Sequence, residues 1–278
     1  MEYETVLYEE KDHVAIVTLN RPDRLNAITR QLQTDLFDAL HRAEENEDVR
    51  VIILTGAGRG FCAGADMKLL DNTSNADWSD VTDEEWVKEN CEMHPRDDAR
   101  EDFQKTNNYF PAINKPIIGA INGFSVGLGF VLPLYCDIRF ASDQAKFGTA
   151  FSQRGLIAEH GVSWMLPRLV GVSNALDLLY SARIIDAEEA LRMGLVSRVI
   201  PHDSFMSEVM EYANHLANNV SPRSLRFMKK EVYNALFQTL AEATDAANLD
   251  MVGSFRCEDF KEGVAHFIEK RSPKFTGK

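Results

Sequence analysis

The chain has 278 residues, 45% hydrophobic and 26% charged, a globular profile with length for one large domain or a domain plus an appendage. Its net charge of −13 argues against nucleic acid and anionic membranes as main partners. The longest nearly apolar stretch, Phe124 to Tyr135, is far short of the ~20 residues a membrane span needs, and the acidic opening MEYETVLYEE lacks a secretory core, so a cytoplasmic setting is expected.

HVAIVTLN (13–20) alternates and is rich in β-branched residues, which predicts a strand. The loop RPDRLNA follows. Thr29 then reads as the N-cap of a helix with Leu32, Leu36, Phe37, Leu40 and Ala43 on one face. VRVIILTG (49–56) is a strand whose apolar run implies burial on both faces, and a glycine-rich loop, AGRGFCAGADM, comes next. Residues 71–105 hold twelve acids and four bases, −8 of the total −13; this acidic insertion is expected to be solvated and mostly helical to about Phe110. A second buried strand, KPIIGAIN (115–122), leads into a glycine-rich segment. The apolar run after Gly129 predicts a helix ended at Cys136-Asp137, and DIRFAS predicts a strand. GVSWMLPRLVG and SNALDLLYSARIIDAEEALRMG read as helical, with Gly194 as a stop, and LVSRVI as the last strand. Everything from Phe205 to Arg271 is amphipathic and helical. The expected layout is an α/β core over 1–204 and a helical region over 205–278.

Four cysteines (Cys62, Cys91, Cys136, Cys257) lie far apart, with neither C-x-x-C nor zinc spacing. Reduced thiols and no metal site are expected, although counting alone leaves disulfides open.

Two loops carry the chemistry. GFSVG (123–127) matches G-x-S-x-G, the nucleophile elbow, with the strand before it and the helix after it that an elbow needs. His202, His215 and His266 follow in the right order, but no HGGG-like loop precedes, and the reading leaves GRGFCAGADM unused. Phosphate binding fits worse, because Gly123, Gly127 and Gly129 do not make G-x-G-x-x-G and no G-K-[ST] follows. A third reading uses both loops: each enters a helix with unpaired backbone N–H groups, and glycine lets such loops approach a ligand closely. Two facing loops would supply two converging donors, an oxyanion hole for a thioester enolate.

GAGRGFCAGADMKLL and INGFSVGLGFVLPLYCDIRFASDQAKFG strongly resemble the crotonase, or enoyl-CoA hydratase/isomerase, superfamily. The likeness continues through NRPDRLNAI, RGLIAEHGVSWMLPRLVG, DAEEALRMGLVSRVI and EDFKEGVAHFIEKRSPKF, nearly the whole chain apart from the acidic insertion. It implies a crotonase-like ββα spiral core and a C-terminal helical region that drives assembly into a homotrimer or a dimer of trimers. It also implies an acyl-CoA substrate whose coenzyme A is part of the thioester, with no separate cofactor. By position, the resemblance puts the oxyanion amides at Ala63 and Leu128. It puts Arg24 and Ala27 near the pantetheine and phosphates, and Ala65, Asp66 and Met67 near the adenine; Asp66 also suits a helix N-cap. Phe275 and Lys278 resemble residues that reach a neighbouring subunit's coenzyme A.

The sequence departs from the hydratase pattern at both expected glutamates, which are replaced by Val131 and Phe151, apolar residues of the substrate site. Glu159, in GLIAEHGVSW, resembles the glutamate of the P-E-G or P-E-A segment of isomerase-like members, where one glutamate is the base. One carboxylate is enough to move a proton from C2 to C4 of a 3-enoyl-CoA. Pairing with Arg154 or Arg168 is the structural alternative for Glu159, and His160, an immediate neighbour whose side chain is expected to diverge, is a candidate only for a supporting place behind the site. The expected activity is Δ3-Δ2 enoyl-CoA isomerisation. The alternatives are a hydratase with a non-standard site, an acyl-CoA decarboxylase or thioester hydrolase, and an acyl-CoA binder without activity.

Overall fold

In the computed structural model, which describes residues 2–77, 79, 81–91, 96–97 and 99–278, the chain opens with a strand that its polar sequence conceals. β1 (Val6–Lys11) carries mostly exposed side chains and pairs antiparallel with β2 (Val14–Leu19) at the sheet edge. Helix α1 (Arg30–Glu45) starts where Thr29 accepts a hydrogen bond from the Leu32 N–H, and it buries Leu32, Leu36, Leu40 and Ala43. β3 (Val51–Gly56) lies parallel to β2 and is buried along its whole length.

The chain then repeats one unit. β3 is followed by the short β4 (Gly60–Cys62) and α2 (Met67–Ser74). After α3 (Asp83–Asn90) and two single 3-10 turns comes β5 (Ile117–Ile121), then the short β6 (Phe124–Val126) and α4 (Leu128–Leu134). β7 (Ile138–Ser142) is followed by β8 (Lys146–Gly148), α5 (Val162–Val170) and α6 (Val172–Ser181). β9 (Ile185–Asp186), α7 (Ala187–Met193) and β10 (Arg198–Ile200) end this part. Each unit contributes one strand to a large sheet, ordered β1-β2-β3-β5-β7-β10, and one to a small sheet, ordered β4-β6-β8-β9. The pairs β1/β2 and β8/β9 are antiparallel and the remaining neighbours parallel. Strand, short strand and helix thus recur as a spiral, the expected ββα architecture.

Period-2 alternation explains the apolar runs of β3 and β5. Ile52, Leu54, Ile117 and Ile121 face the main core with α1 and α4. Val51, Ile53, Ile118 and Ala120 face the other way, onto Phe205, Val209, Ala213 and Ala217 of α8 (Phe205–Asn219). Helix α8 therefore closes the outer face of the large sheet. Beyond it, α9 (Pro222–Ala235), α10 (Leu240–Ser254) and α11 (Glu258–Glu269) leave Leu240, Leu249, Phe267 and Ile268 more than 70% exposed.

Two expectations need correction. The segment read as one helical run from Ser173 breaks at Ala182, which adopts φ 47°, and Asp186 then caps a new helix by accepting from the Glu189 N–H. Among its described residues the acidic insertion is helical only in the end of α2, in α3 and in a 3-10 turn at Glu101–Phe103, and a second 3-10 turn follows at Phe110–Ala112; residues 92–95 and others within the insertion lie outside the described ones.

Candidate active site

Two glycines let the loops meet. A Cβ on Gly129 would stand 2.1 Å from the Cys62 carbonyl oxygen, so only glycine lets the start of α4 rest on β4. Gly64 has φ +101°, and a Cβ there would stand 2.8 Å from the Val126 oxygen and 3.5 Å from the Leu128 nitrogen. The turn after β4 is thus pressed against the turn into α4. Ser125 between them is fully buried, and its hydroxyl donates to the Gly129 carbonyl at 3.0 Å. It braces the turn and bonds to none of the described histidines, so the elbow reading fails.

The backbone bonds decide which amides are available. The Ala63 N–H donates to the Leu25 carbonyl at 2.9 Å and so is consumed within the fold. That removes Ala63 as an oxyanion donor. Ile28 pairs in parallel with Ala65: the Ile28 N–H donates to Gly64, and the Asp66 N–H donates to Ile28. In such a ladder the intervening N–H points away from the partner. The Ala65 and Leu128 N–H groups have no protein acceptor among the described residues, and both residues line the same cavity.

That cavity measures about 1120 Å³, and Ala63, Leu128, Glu159, Arg24, Ala27, Ala65, Asp66, Met67 and Phe151 all line it. Arg24 and Ala27 are brought there by a tight reversal in which Leu25 and Asn26 both take positive φ. The buried Asn26 amide fixes that reversal by donating to the Ala57, Gly60 and Phe61 carbonyls. Asp66 caps α2 by accepting from the Lys68 N–H at 3.0 Å and pairs with Arg21 at 3.0 Å. The Lys68 amide and then Arg21 hold its carboxyl below the usual carboxylate range.

Three assigned residues lie elsewhere. Val131 is fully buried in the main core, and the α4 residues that reach the cavity are Leu128 and Leu132. Phe275 and Lys278 do not line it either: the Phe275 ring packs against His266, its carbonyl accepts from Arg50, and the Lys278 carbonyl accepts from Asp259.

Only two carboxylates line the cavity among the described residues, Asp66 and Glu159. Arg154 donates to the Ala150 carbonyl, while Arg168 donates to the Trp164 carbonyl and stacks 3.9 Å over its ring; neither pairs with Glu159. The Glu159 side chain is one-third exposed, and desolvation raises its carboxyl above the ordinary value. His160 does not diverge from it. His160 has φ 52°, which turns its ring back until Nε2 lies 4.0 Å from Glu159 Oε2, and burial lowers its pKa. Gln33 and Asn107, on the same cavity wall, carried no signal in the sequence because their contacts span distant segments.

All four cysteines are unpaired, Cys62 and Cys136 being buried, with the Cys62 thiol pushed up to about 12 by burial. Among the described residues no group of three or more His, Cys, Asp or Glu is arranged to hold a metal ion, and no helix is long and apolar enough to cross a membrane.

Known proteins share this arrangement from end to end. The family model described as enoyl-CoA hydratase/isomerase matches residues 9–278. A protein named probable enoyl-CoA hydratase from Mycobacterium tuberculosis is 35% identical over 99% of both chains. The 1,2-epoxyphenylacetyl-CoA isomerase of Escherichia coli is 33% identical, also over 99% of both. The crystal structure of an enoyl-CoA hydratase from Bacillus anthracis superposes with a TM-score of 0.86 at 30% identity, covering 99% of this chain and 100% of that one. With the double-sheet spiral, the paired glycine turns and a matching family model over nearly all its length, the chain belongs to the enoyl-CoA hydratase/isomerase family of the crotonase superfamily.

Proposed function

We propose that the protein is a Δ3-Δ2 enoyl-CoA isomerase with Glu159 as its single base. One observation carries the reading: of the two carboxylates on the cavity wall among the described residues, Asp66 is committed to a cap and an ion pair, while no described lysine or arginine pairs with Glu159. The thioester oxygen sits between the Ala65 and Leu128 N–H groups. Glu159 takes a proton from C2 of the 3-enoyl-CoA, and the two amides hold the enolate oxygen. The protonated carboxyl then delivers that proton to C4 as the double bond moves to C2–C3, and the carboxylate is regenerated. Phe151, where a hydratase would carry a carboxylate, keeps water from the enolate. Arg24 and Ala27 flank the pantetheine and phosphates, and Ala65, Asp66 and Met67 the adenine side. Coenzyme A enters as part of the substrate, and no other cofactor takes part.

Relatives named as hydratases favour a second reading, hydration at a site without the usual pair of glutamates. Product analysis separates the two. An isomerase converts 3-enoyl-CoA to 2-enoyl-CoA, whereas a hydratase converts 2-enoyl-CoA to 3-hydroxyacyl-CoA. The exposed Leu240, Leu249, Phe267 and Ile268 support self-association through the C-terminal helices as a homotrimer or a dimer of trimers. In that assembly Phe275 and Lys278 would serve a neighbour's coenzyme A. Sedimentation equilibrium measures the stoichiometry.

A further inference from the structure

Beside Glu159 lies a chain of side chains that the isomerase reading does not require. Gln33 on α1 donates from Nε2 to Asn107 Oδ1 at 3.1 Å. With its oxygen so occupied, Asn107 directs Nδ2 at His160 Nδ1, 3.3 Å away. An amide N–H aimed at Nδ1 makes that nitrogen an acceptor, so the imidazole proton sits on Nε2. Nε2 is the ring nitrogen that faces Glu159, at 4.0 Å.

The backbone is fixed for the same purpose. Asn107 and His160 both hold left-handed conformations, with φ 69° and 52°, which Asn and His tolerate better than most residues. The Tyr135 hydroxyl, at the end of α4, donates to the His160 carbonyl at 2.7 Å. Gly161 follows with φ +72°, and a Cβ there would collide with that same hydroxyl at 2.4 Å. Three separate segments therefore hold one imidazole in one orientation. Burial favours its neutral form, which keeps a single N–H.

We infer that His160 is a positioning residue for Glu159: Asn107 fixes the imidazole tautomer, and the Nε2–H orients the carboxylate between C2 and C4 during proton transfer. The inference rests on Glu159 being the base. The present 4.0 Å closes to a hydrogen bond by rotation of the partly exposed Glu159 side chain. Such a donor holds one carboxylate oxygen and leaves the other for the substrate proton. It takes the orienting place that neither Arg154 nor Arg168 fills, since both donate to backbone carbonyls.

The test compares four variants, with 3-enoyl-CoA turnover, thermal melting and the imidazole NMR spectrum as readouts. His160→Asn suits the left-handed backbone and can replace the acceptor facing Asn107, but it has no donor at the Nε2 position. It should melt like the wild type, with kcat lower by about 10- to 100-fold and KM little changed. His160→Gln extends an amide N–H towards the Nε2 position and should recover part of that loss. In a long-range 1H–15N spectrum, the His160 ring should show the Nε2–H tautomer and lose that bias in Asn107→Leu. Wild-type kcat in His160→Asn, or equal losses in the Asn and Gln variants, would overturn the inference. Glu159→Gln separates the levels. If it is inactive while His160→Asn is fully active, the positioning role fails and the base stands; if it is active, both fail.

Discussion

Replacing Gly129 by alanine should damage catalysis more than folding. The added Cβ would meet Cys62 O at 2.1 Å, Cys62 C at 2.6 Å and Cys62 Cβ at 2.8 Å. The nearest of these is 1.3 Å short of the 3.4 Å at which ordinary contact begins, and two of the three atoms are backbone that cannot rotate aside. Either β4 or the start of α4 must give way, at a cost of about 1–3 kcal/mol, as for other overpacked sites. Leu128 is the next residue upstream and moves with that turn. A displacement near 1 Å stretches an N–H···O contact of about 2.9 Å beyond hydrogen-bonding range. Losing one such donor lowers kcat by roughly 10²- to 10³-fold. Steady-state kinetics on 3-enoyl-CoA, beside a melting curve, separates the two effects. The melting temperature should fall by about 2–4 °C per kcal/mol, while kcat falls by two orders of magnitude or more. A folded Gly129→Ala protein with wild-type kcat would refute the placement of the Leu128 amide at the oxyanion.

Ser125→Ala should keep its turnover and lose about 1 kcal/mol of stability with the bond to Gly129, and a fluorophosphonate should leave the wild type unlabelled. The base must be ionised to act, and desolvation raises the Glu159 pKa. The acid limb of kcat/KM should therefore fall as pH drops through a value above the ordinary carboxylate range, and no shift from that range would contradict the desolvated setting. Val131→Glu should fail to create a hydratase, because position 131 lies in the core: an unpaired charge there costs about 3–5 kcal/mol, read as a lower melting temperature with no 3-hydroxyacyl-CoA formed.

Regular elements with strong periodicity were legible in the sequence. The Thr29 cap, the two-sided apolar runs of β3 and β5, and the Gly194 stop, at φ +80°, each follow from local chemistry. β1 was hidden because an edge strand with one wet face needs few apolar residues. The break at Ala182 was hidden because a left-handed alanine announces nothing. At the site, the glycine turns were visible as motifs, but the available amide was not. Ala63 and Ala65 differ only in that the first is bonded to Leu25 and the second is not, a fact set by the path of residues 21–28. The expectation for His160 failed because side-chain divergence of neighbours assumes an ordinary backbone, and φ 52° reverses it.

The most direct measurement is the fate of 3-enoyl-CoA with wild-type and Glu159→Gln protein, each checked for acyl-CoA binding. The wild type should yield 2-enoyl-CoA, and the variant should bind as tightly while turning over about 10²- to 10⁴-fold more slowly. Turnover of Glu159→Gln at the wild-type rate would contradict the single-base account.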